Sequence, residues 1–330
     1  MPPVDRRNPI RAKASDSSCS LMEFMREFPD DETCLRHVWC ERYAPDGERA
    51  HCQRCETERV FKRYETAQKR PCWFCQTCGF RIHPLKGTIF EGSSTSLHLW
   101  FYAMYLITST RCGISAKHLE RELGVTYKTA WRMFNKIRNQ LMDEASAPLS
   151  GEVEADETFI GGKPRQSDIA RRKALGWTPQ TDYWQKKAVV FGAVERGGRI
   201  RAEVVPNSRL STIEPKVQTY ILPGSMVFTD EYKGYDRLGK KGYYHRRIKH
   251  SARIYVDGDV HTQTMDGDVH TQTIDGFFGL FKTGVRGAHH AVSHKWLQGY
   301  LNEWTWRYNR RESETPMFRD LLDEAVSRTV

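Results

Sequence analysis

Two periodicities of hydrophobic residues divide the chain. Over residues 97–133, apolar side chains recur at helical spacing, which predicts helices. From residue 152 onward, alternating and short continuous apolar runs are typical of strands. The elements predicted there are strands over 151–160, 188–194 and 200–205, a helix over 211–222, strands over 226–230 and 243–250, and a helix beginning at Asp275. The chain is therefore predicted to be of the α/β class.

Residues 115–133 have the pattern of two helices joined by a glycine turn. Leu119 and Leu123 form an apolar stripe, Gly124 ends the first helix, and Thr126 can cap the second. A helix-turn-helix of this kind presents its second helix to DNA, whereas a simple helical hairpin would only pack against its neighbours. The second helix would offer Tyr127, Lys128, Arg132, Lys136 and Arg138. Of these, Lys128, Arg132 and Lys136 are the predicted DNA-binding residues.

Two pairs of cysteines predict a zinc site. Cys52 and Cys55 form one C-x-x-C knuckle, and Cys75 and Cys78 form a second after 19 intervening residues. Four thiolates in two knuckles suit tetrahedral Zn²⁺. The metal would supply the folding energy of so small a ribbon. Cys72 extends the second knuckle and is an alternative ligand, although the regular pairing favours the other four.

Charge and composition favour a polyanionic partner. The 330 residues include 51 Lys and Arg against 41 Asp and Glu, a formal net charge of +10, and the pI is about 9.1. Such an excess suits nucleic acid, and the alternative is a basic protein without that partner. We expect no membrane span, because no run of roughly 18 apolar residues occurs. The N-terminus lacks an apolar signal core, so we expect a cytoplasmic protein.

Three acidic residues on separate predicted elements indicate the chemistry. Asp156 lies in the first strand of the α/β region, Asp230 closes a later strand, and Asp275 opens a helix that also carries Lys282. Acids on these strands would meet on one side of a sheet, where a helix acid can join them. Two-metal phosphodiester chemistry needs such convergence, because carboxylates hold the ions about 3.5–4 Å apart. The order of elements is that of ribonuclease-H-like nucleases.

Glutamates flank the first acid. Glu157 should point to the opposite face of its strand, whereas Glu154 shares the face of Asp156 and is an alternative metal ligand. Lys282 is two helical turns after Asp275, so it could hold a phosphate near the scissile bond; otherwise it is a solvated lysine. The loop over 161–177 is basic and could follow a DNA backbone.

Four further segments follow the cysteine knuckles in a fixed order: residues 86–91, 153–163, 229–235 and 270–311. Together these motifs resemble the bacterial insertion-sequence DDE transposases with an N-terminal zinc ribbon, the ISXO-like group. The resemblance covers nearly the whole chain from about residue 24. It implies a ribonuclease-H-like catalytic domain, Mg²⁺ or Mn²⁺, and cut-and-join chemistry at the double-stranded DNA ends of a mobile element. The family's first two acids fall on Asp156 and Asp230, and a homo-oligomer on DNA is implied.

The motifs divide the chain into five predicted parts. These are an N-terminal tail with short helices (1–47), a zinc ribbon (48–92), a helix-turn-helix DNA-binding region (93–147), a ribonuclease-H-like catalytic domain of the DDE type (148–312), and a C-terminal helix or tail (313–330).

Two departures from the family pattern bear on activity. The third acid is Asp275, where the family usually has glutamate, so the helix must approach the metals more closely. A nine-residue segment, 257–265, is repeated at once as 266–274 with eight identical positions. Without one copy, the 44 residues between Asp230 and Asp275 would become 35. Asp266 has that shorter spacing, but it lacks the Phe-Phe-Gly-Leu-Phe-Lys that follows Asp275, which we therefore favour.

The sequence predicts a metal-dependent transposase that cleaves and joins DNA strands. In this hypothesis Asp156 and Asp230 hold one metal jointly and Asp275 completes the second. The extra nine residues lie directly before the catalytic helix and could shift its register, which leaves impaired activity open. The alternative function is a decayed or domesticated transposase that only binds DNA. A zinc-ribbon transcription regulator is more distant, because it leaves the acidic triad unexplained.

Overall fold

The computed structural model describes most of the chain. The described residues are 19–65, 71–110, 112–144, 147–161, 174, 187–230, 232–247 and 271–328. They fall into two compact units. The N-terminal unit lies within Met1–Met142 and Arg310–Val330, and the sheet unit lies within Asp143–Asn309. Helices and strands are both present, so the chain is mixed α/β as predicted. Among the described residues, no helix combines the length and apolarity that crossing a bilayer requires.

The N-terminal unit combines an antiparallel sheet of strand order β1-β2-β3-β4 with several helices. Its described elements are α1 (Leu21–Glu27), α2 (Asp31–Arg42), β1 (Arg49–Cys52), β2 (Thr57–Glu65), β3 (Pro71–Cys75), β4 (Arg81–Ile82), α3 (Leu97–Ser109), α4 (Ala116–Leu123), α5 (Tyr127–Lys136) and, from the C-terminal end of the chain, α9 (Met317–Ser327). A π-helical turn, Ile137–Leu141, continues α5.

One face of this small sheet is packed against α2. The Trp39 ring of α2 stacks on Trp73 of β3 with ring centroids 4.6 Å apart, and its distance to the Phe61 ring of β2 is 5.8 Å. All three aromatic side chains are buried. Since the sheet has few other core residues, these rings supply much of its apolar contact.

The predicted pair of helices around a glycine is present in the structure. The Ser115 hydroxyl accepts from the His118 amide at the start of α4, and Gly124 ends that helix with a positive φ of 64°. The Thr126 hydroxyl then accepts from the Thr129 amide and caps α5. Leu119 is fully buried, as the apolar stripe requires. Local capping and the left-handed glycine therefore end α4 and start α5 within a few residues.

The sheet unit contains a five-stranded sheet of order β7-β6-β5-β8-β9. Strands β5, β6 and β7 are antiparallel neighbours, whereas β8 and β9 extend the sheet in parallel from β5. The described elements are β5 (Glu152–Ile160), β6 (Ala188–Glu195), β7 (Ile200–Val205), α6 (Leu210–Tyr220), β8 (Met226–Thr229), β9 (Tyr244–Arg247), α7 (Gln272–Gly284) and α8 (Leu297–Asn309).

Both faces of the sheet are buried. On one face Phe191 packs with α6 side chains such as Val217, and on the other Val190 packs with α7 and α8. The interior strand β6, which lies between β7 and β5, is consequently apolar at nearly every position, as a strand covered on both sides must be. Gly192 of β6 allows α7 to approach closely: a Cβ there would lie 2.9 Å from the Phe278 ring of α7.

Candidate metal centres

The four cysteines of the two knuckles converge as predicted. One sulfur from each of Cys52, Cys55, Cys75 and Cys78 lies within 4.8 Å of all the others, and the Cys52 and Cys78 sulfurs are 3.5 Å apart. A tetrahedral zinc with bonds of about 2.3 Å separates its sulfur ligands by about 3.8 Å. The donors and their spacing fit Zn²⁺, so this group could hold the metal. Cys72 lies in β3 opposite Tyr64 and is not a member of the group.

The two knuckles have the same turn geometry. In each, the residue after the second cysteine has a positive φ, 54° at Glu56 and 74° at Gly79. The amide of that residue donates to the carbonyl of the first cysteine, over 2.8 Å from Glu56 to Cys52 and 2.9 Å from Gly79 to Cys75. These turns bring the paired sulfurs to one point. A left-handed glutamate is uncommon, so Glu56 stores backbone strain that Gly79 avoids.

The three predicted catalytic acids come from three elements of the sheet unit. Asp156 is in the middle of β5, Asp230 directly follows β8, and Asp275 is in the first turn of α7. Strands β5 and β8 pair in parallel with Glu154 opposite Phe228, and Asp156 and Asp230 each lie two residues further along their chain segments. The two acids therefore follow the same paired position on neighbouring strands. Asp156 and Asp230 are half-buried, whereas Asp275 is exposed.

The charges of Asp230, Asp275 and Lys282 all influence the Asp156 carboxyl. Burial raises the pKa of the Asp156 carboxyl to about 7, and the negative charges of Asp230 and Asp275 add to this rise. Lys282 opposes it. The oxygens of the three aspartates do not all lie within 4.8 Å of one another, a closeness that only the cysteines attain in the described part of the chain. Carboxylate oxygens are the donors that Mg²⁺ and Mn²⁺ prefer, so the donor set fits such ions.

Local hydrogen bonds orient two of these carboxylates. An Asp230 oxygen accepts from the Tyr232 amide at 2.9 Å, and an Asp275 oxygen accepts from the Thr271 hydroxyl at 3.3 Å. Thr229, just before Asp230, bonds through its hydroxyl to the His245 ring at 2.9 Å. The end of β8 is therefore tied to β9, and Asp230 is aimed by the turn that follows it.

Lys282 has cationic neighbours that the sequence analysis did not single out. It lies half-buried in α7, where burial and the charge of Arg286 lower its pKa, while Asp156 and Asp275 raise it. Lys187, just before β6, also acts to lower that pKa. The spacing of Lys282 and Arg286, four residues apart on one helical path, was the available signal. A positive region therefore adjoins the acids.

The two glutamates beside Asp156 are engaged elsewhere. The Tyr235 hydroxyl donates to Glu157 at 2.7 Å on the α6 face of the sheet, opposite Asp156. Burial raises the pKa of Glu157 to about 8, a rise that this hydrogen bond opposes. Glu154 is fully buried and bonded to Arg196 and to the start of α7. Four hydrogen bonds occupy its two oxygens, which disfavours the alternative of Glu154 as a metal ligand.

The structure divides the predicted DNA-contacting cations of α5. Lys128 and Arg132 are exposed. The Lys136 amine, by contrast, donates to the Ile89 carbonyl at 2.9 Å and is half-buried. Arg138 is buried with its guanidinium 3.5 Å from the centre of the Phe134 ring. The expected presentation of Arg138 was therefore wrong, because its guanidinium is buried against an aromatic ring, whereas Lys136 stays partly exposed with its amine bound to a carbonyl.

Several predictions fall on residues outside the described ranges. These are the N-terminal tail before residue 19, nearly all of the basic loop over 161–177, Asp266, and the repeat except residues 271–274.

Comparison with known proteins identifies the family of this chain. Residues 148–309 match the model of the ISXO2-like transposase domain. A protein in transposable element ISH50 of Halobacterium salinarum is 31% identical over 222 residues, which cover 65% of this chain and 73% of the relative. A transposase-like protein of Haemophilus influenzae is 26% identical over 119 residues, which cover 34% of this chain and 84% of that protein. The chain belongs to the ISXO2-like family of insertion-sequence transposases.

Proposed function

We propose that this transposase binds the ends of its insertion sequence and cleaves and joins DNA strands with Asp156, Asp230 and Asp275 as ligands of two Mg²⁺ or Mn²⁺ ions. The observation that carries the proposal is the placement of the acids: Asp156 is in β5, Asp230 directly follows the neighbouring strand β8, and Asp275 is in the first turn of α7. The pKa of Asp156 supports it, because burial raises that pKa to about 7 and the charges of the other two aspartates add to the rise. The mutual repulsion of three neighbouring carboxylates does not stabilise the fold. Divalent cations would remove their repulsion.

The same proposal includes a ribonuclease-H-like fold for the catalytic domain, over about residues 148–312. The support is topological. Within this domain the antiparallel strands β5, β6 and β7 come first, and the parallel strands β8 and β9 then extend the sheet beyond β5. Helix α6 covers one face and helices α7 and α8 cover the other. In this proposal the acids of β5, of the end of β8 and of α7 meet on one side of the sheet.

The residues around the acids have distinct roles in this proposal. When bound, the metal ions would activate a water molecule or a DNA 3′-hydroxyl and stabilise the leaving oxygen. Asp156 and Asp230 hold one binding position between neighbouring strands, and Asp275 contributes from α7. Lys282 holds a phosphate oxygen near the bond that is cut, since its ammonium group lies beside the acids. Arg286 extends this cationic region along the helix.

The N-terminal unit supplies binding to double-stranded DNA in this proposal. A zinc ion held by the four cysteines would stabilise the ribbon over about residues 48–92. Helix α5 would contact a DNA groove and its phosphates through Lys128 and Arg132, which are exposed as such contacts require. We further propose that the chain acts as a homo-oligomer assembled on paired element ends.

Cleavage of DNA carrying the flanks of the gene tests the proposal. Asp230→Asn removes one ligand charge, so it should abolish Mg²⁺-dependent cleavage while leaving DNA binding intact. Asp236→Asn is the matched control, because Asp236 is exposed and pairs with Arg247. Equal cleavage by the wild type and the Asp230 variant would defeat the metal assignment. DNA binding without any cleavage by the wild type would instead favour a DNA-binding protein derived from a transposase.

A further inference from the structure

Glu154 accepts hydrogen bonds from two directions at once. It is fully buried on β5, and four donors reach its two oxygens. One oxygen accepts from Arg196 at 3.1 Å and from the Thr273 hydroxyl at 3.0 Å. The other accepts from the backbone amides of Thr273 at 2.9 Å and Ile274 at 3.2 Å. A carboxylate without donors of its own is the side chain that this site requires.

Glu154 takes the place of the missing cap of α7. The residue before the helix, Thr271, makes no capping hydrogen bond with its side chain. The amides of Thr273 and Ile274, the second and third residues of the helix, are those that a capping side chain normally satisfies. Here an acid from a strand accepts from both amides. Its negative charge also complements the positive end of the helix dipole.

This contact joins the elements that carry two of the three acids. Glu154 is two residues before Asp156 on the same face of β5. Asp275 directly follows Ile274, whose amide Glu154 binds. We propose that Glu154 is a positioning residue that anchors the start of α7 to β5 and thereby sets the separation of the Asp156 and Asp275 carboxylates. The role in metal binding rests on the function proposed above.

Arg196 holds Glu154 in place from the other side. Its guanidinium bonds to Glu154 and to Glu152, both at 3.1 Å, and lies 4.0 Å from the centre of the Phe228 ring on β8. A buried carboxylate needs such a partner, because an unpaired charge in the interior is costly. The anchor therefore connects β5, β8 and α7, which are the elements of the proposed metal site.

Two matched glutamine variants separate this role from general stabilisation. Glu154→Gln retains the shape of the side chain, but its NH₂ group would face two of the four donors. Glu152→Gln loses a carboxylate that pairs with the same Arg196 but is exposed and has no contact with α7 among those described. Thr273→Val is a milder second variant, because it removes one hydroxyl donor and leaves both helix amides.

Mn²⁺ binding by the full-length protein is then measured from the electron paramagnetic resonance signal of free Mn²⁺, with hydrogen exchange read on residues 272–281. Glu154→Gln should weaken Mn²⁺ affinity by about 10–100-fold, as loss of groups that orient metal ligands does. It should also speed amide exchange in the first turn of α7. Thr273→Val should also weaken Mn²⁺ affinity and speed amide exchange, but by smaller amounts. Glu152→Gln should change neither the affinity nor the exchange rate. If Glu154→Gln does not fold, the same two measurements on Thr273→Val test the inference.

Equal affinities in the Glu154 and Glu152 variants, with wild-type exchange at the start of α7, would overturn the inference. A general loss of stability would lower the folded fraction without changing the affinity of the folded protein. If the wild type binds no Mn²⁺, the proposed function fails. The hydrogen-exchange measurement then tests by itself whether Glu154 anchors the start of α7. Faster exchange at the start of α7 in Glu154→Gln, with wild-type exchange in Glu152→Gln, supports the anchoring role of Glu154, whereas unchanged exchange in Glu154→Gln refutes it.

Discussion

Replacing Asp156 with asparagine should stabilise the sheet unit when no Mg²⁺ or Mn²⁺ is added. The unfolded carboxyl has a pKa near 3.8, whereas burial raises the folded pKa to about 7. The unfolded chain therefore releases this proton at lower pH than the folded chain. Ionisation costs more in the folded state, so this group lowers stability as pH rises from about 4 to 7, and the cost is complete above that pH.

The magnitude follows from the same shift. A rise from 3.8 to about 7 corresponds to roughly 4 kcal/mol at about 1.36 kcal/mol per pKa unit. This is an upper limit, because Asp156 is only half-buried and solvent screens part of the effect. Asp156→Asn should therefore gain up to about 4 kcal/mol at pH 8 and progressively less toward pH 4. Added Mg²⁺ should stabilise the wild type more than the variant.

The assay is urea unfolding of the full chain. Unfolding is monitored by the hydrogen exchange of peptides from β6, so that the stability of the sheet unit is measured by itself. Chelators are avoided, because they would also remove zinc from the cysteine site. Asp236→Asn serves as the control, since that exposed acid is paired with Arg247. A variant no more stable than the wild type at pH 8, or a difference that does not change with pH, would refute the reasoning.

Three further predictions concern the N-terminal unit. Cys75→Ser should lower zinc content and speed hydrogen exchange in β1–β4 but not in β6, as mass spectrometry can measure, because the metal supplies folding energy to the ribbon. Glu56→Gly should raise the unfolding free energy of the ribbon by up to about 1 kcal/mol, since glycine adopts the left-handed conformation without the strain of a side chain. An unchanged midpoint of urea unfolding, monitored by the hydrogen exchange of β2, would contradict this. Arg132→Gln should weaken DNA binding and reduce the slope of log affinity against log salt by about 1. Lys136→Gln should change that slope less, because the Lys136 amine is bound to the Ile89 carbonyl.

The sequence predicted those features that local patterns determine. The cysteine knuckles, the glycine-linked helices α4 and α5, and the β6–β7 hairpin follow from spacing, capping residues and apolar runs. Helix α7, however, begins at Gln272, three residues before the predicted start at Asp275. The reason is non-local, because the cap is Glu154, which lies 119 residues away in the chain.

Long-range contacts also explain the errors at charged residues. Lys136 and Arg138 have the helical spacing of exposed cations, but the Lys136 amine is bound to the Ile89 carbonyl and Arg138 is buried against the Phe134 ring. Strand alternation places Glu154 on the same face of β5 as Asp156, but its oxygens accept hydrogen bonds from Arg196 and from the start of α7. Strand alternation gives the face on which a side chain lies. It does not give the partners that meet the side chain there.

Cleavage of end-bearing DNA in Mg²⁺ by Asp275→Asn and Asp266→Asn tests the central claim most directly. Both variants remove one carboxylate charge, and both residues follow a copy of the same nine-residue segment. If Asp156, Asp230 and Asp275 hold the catalytic ions, Asp275→Asn abolishes cleavage and Asp266→Asn retains it. Wild-type cleavage by the Asp275 variant would contradict the account.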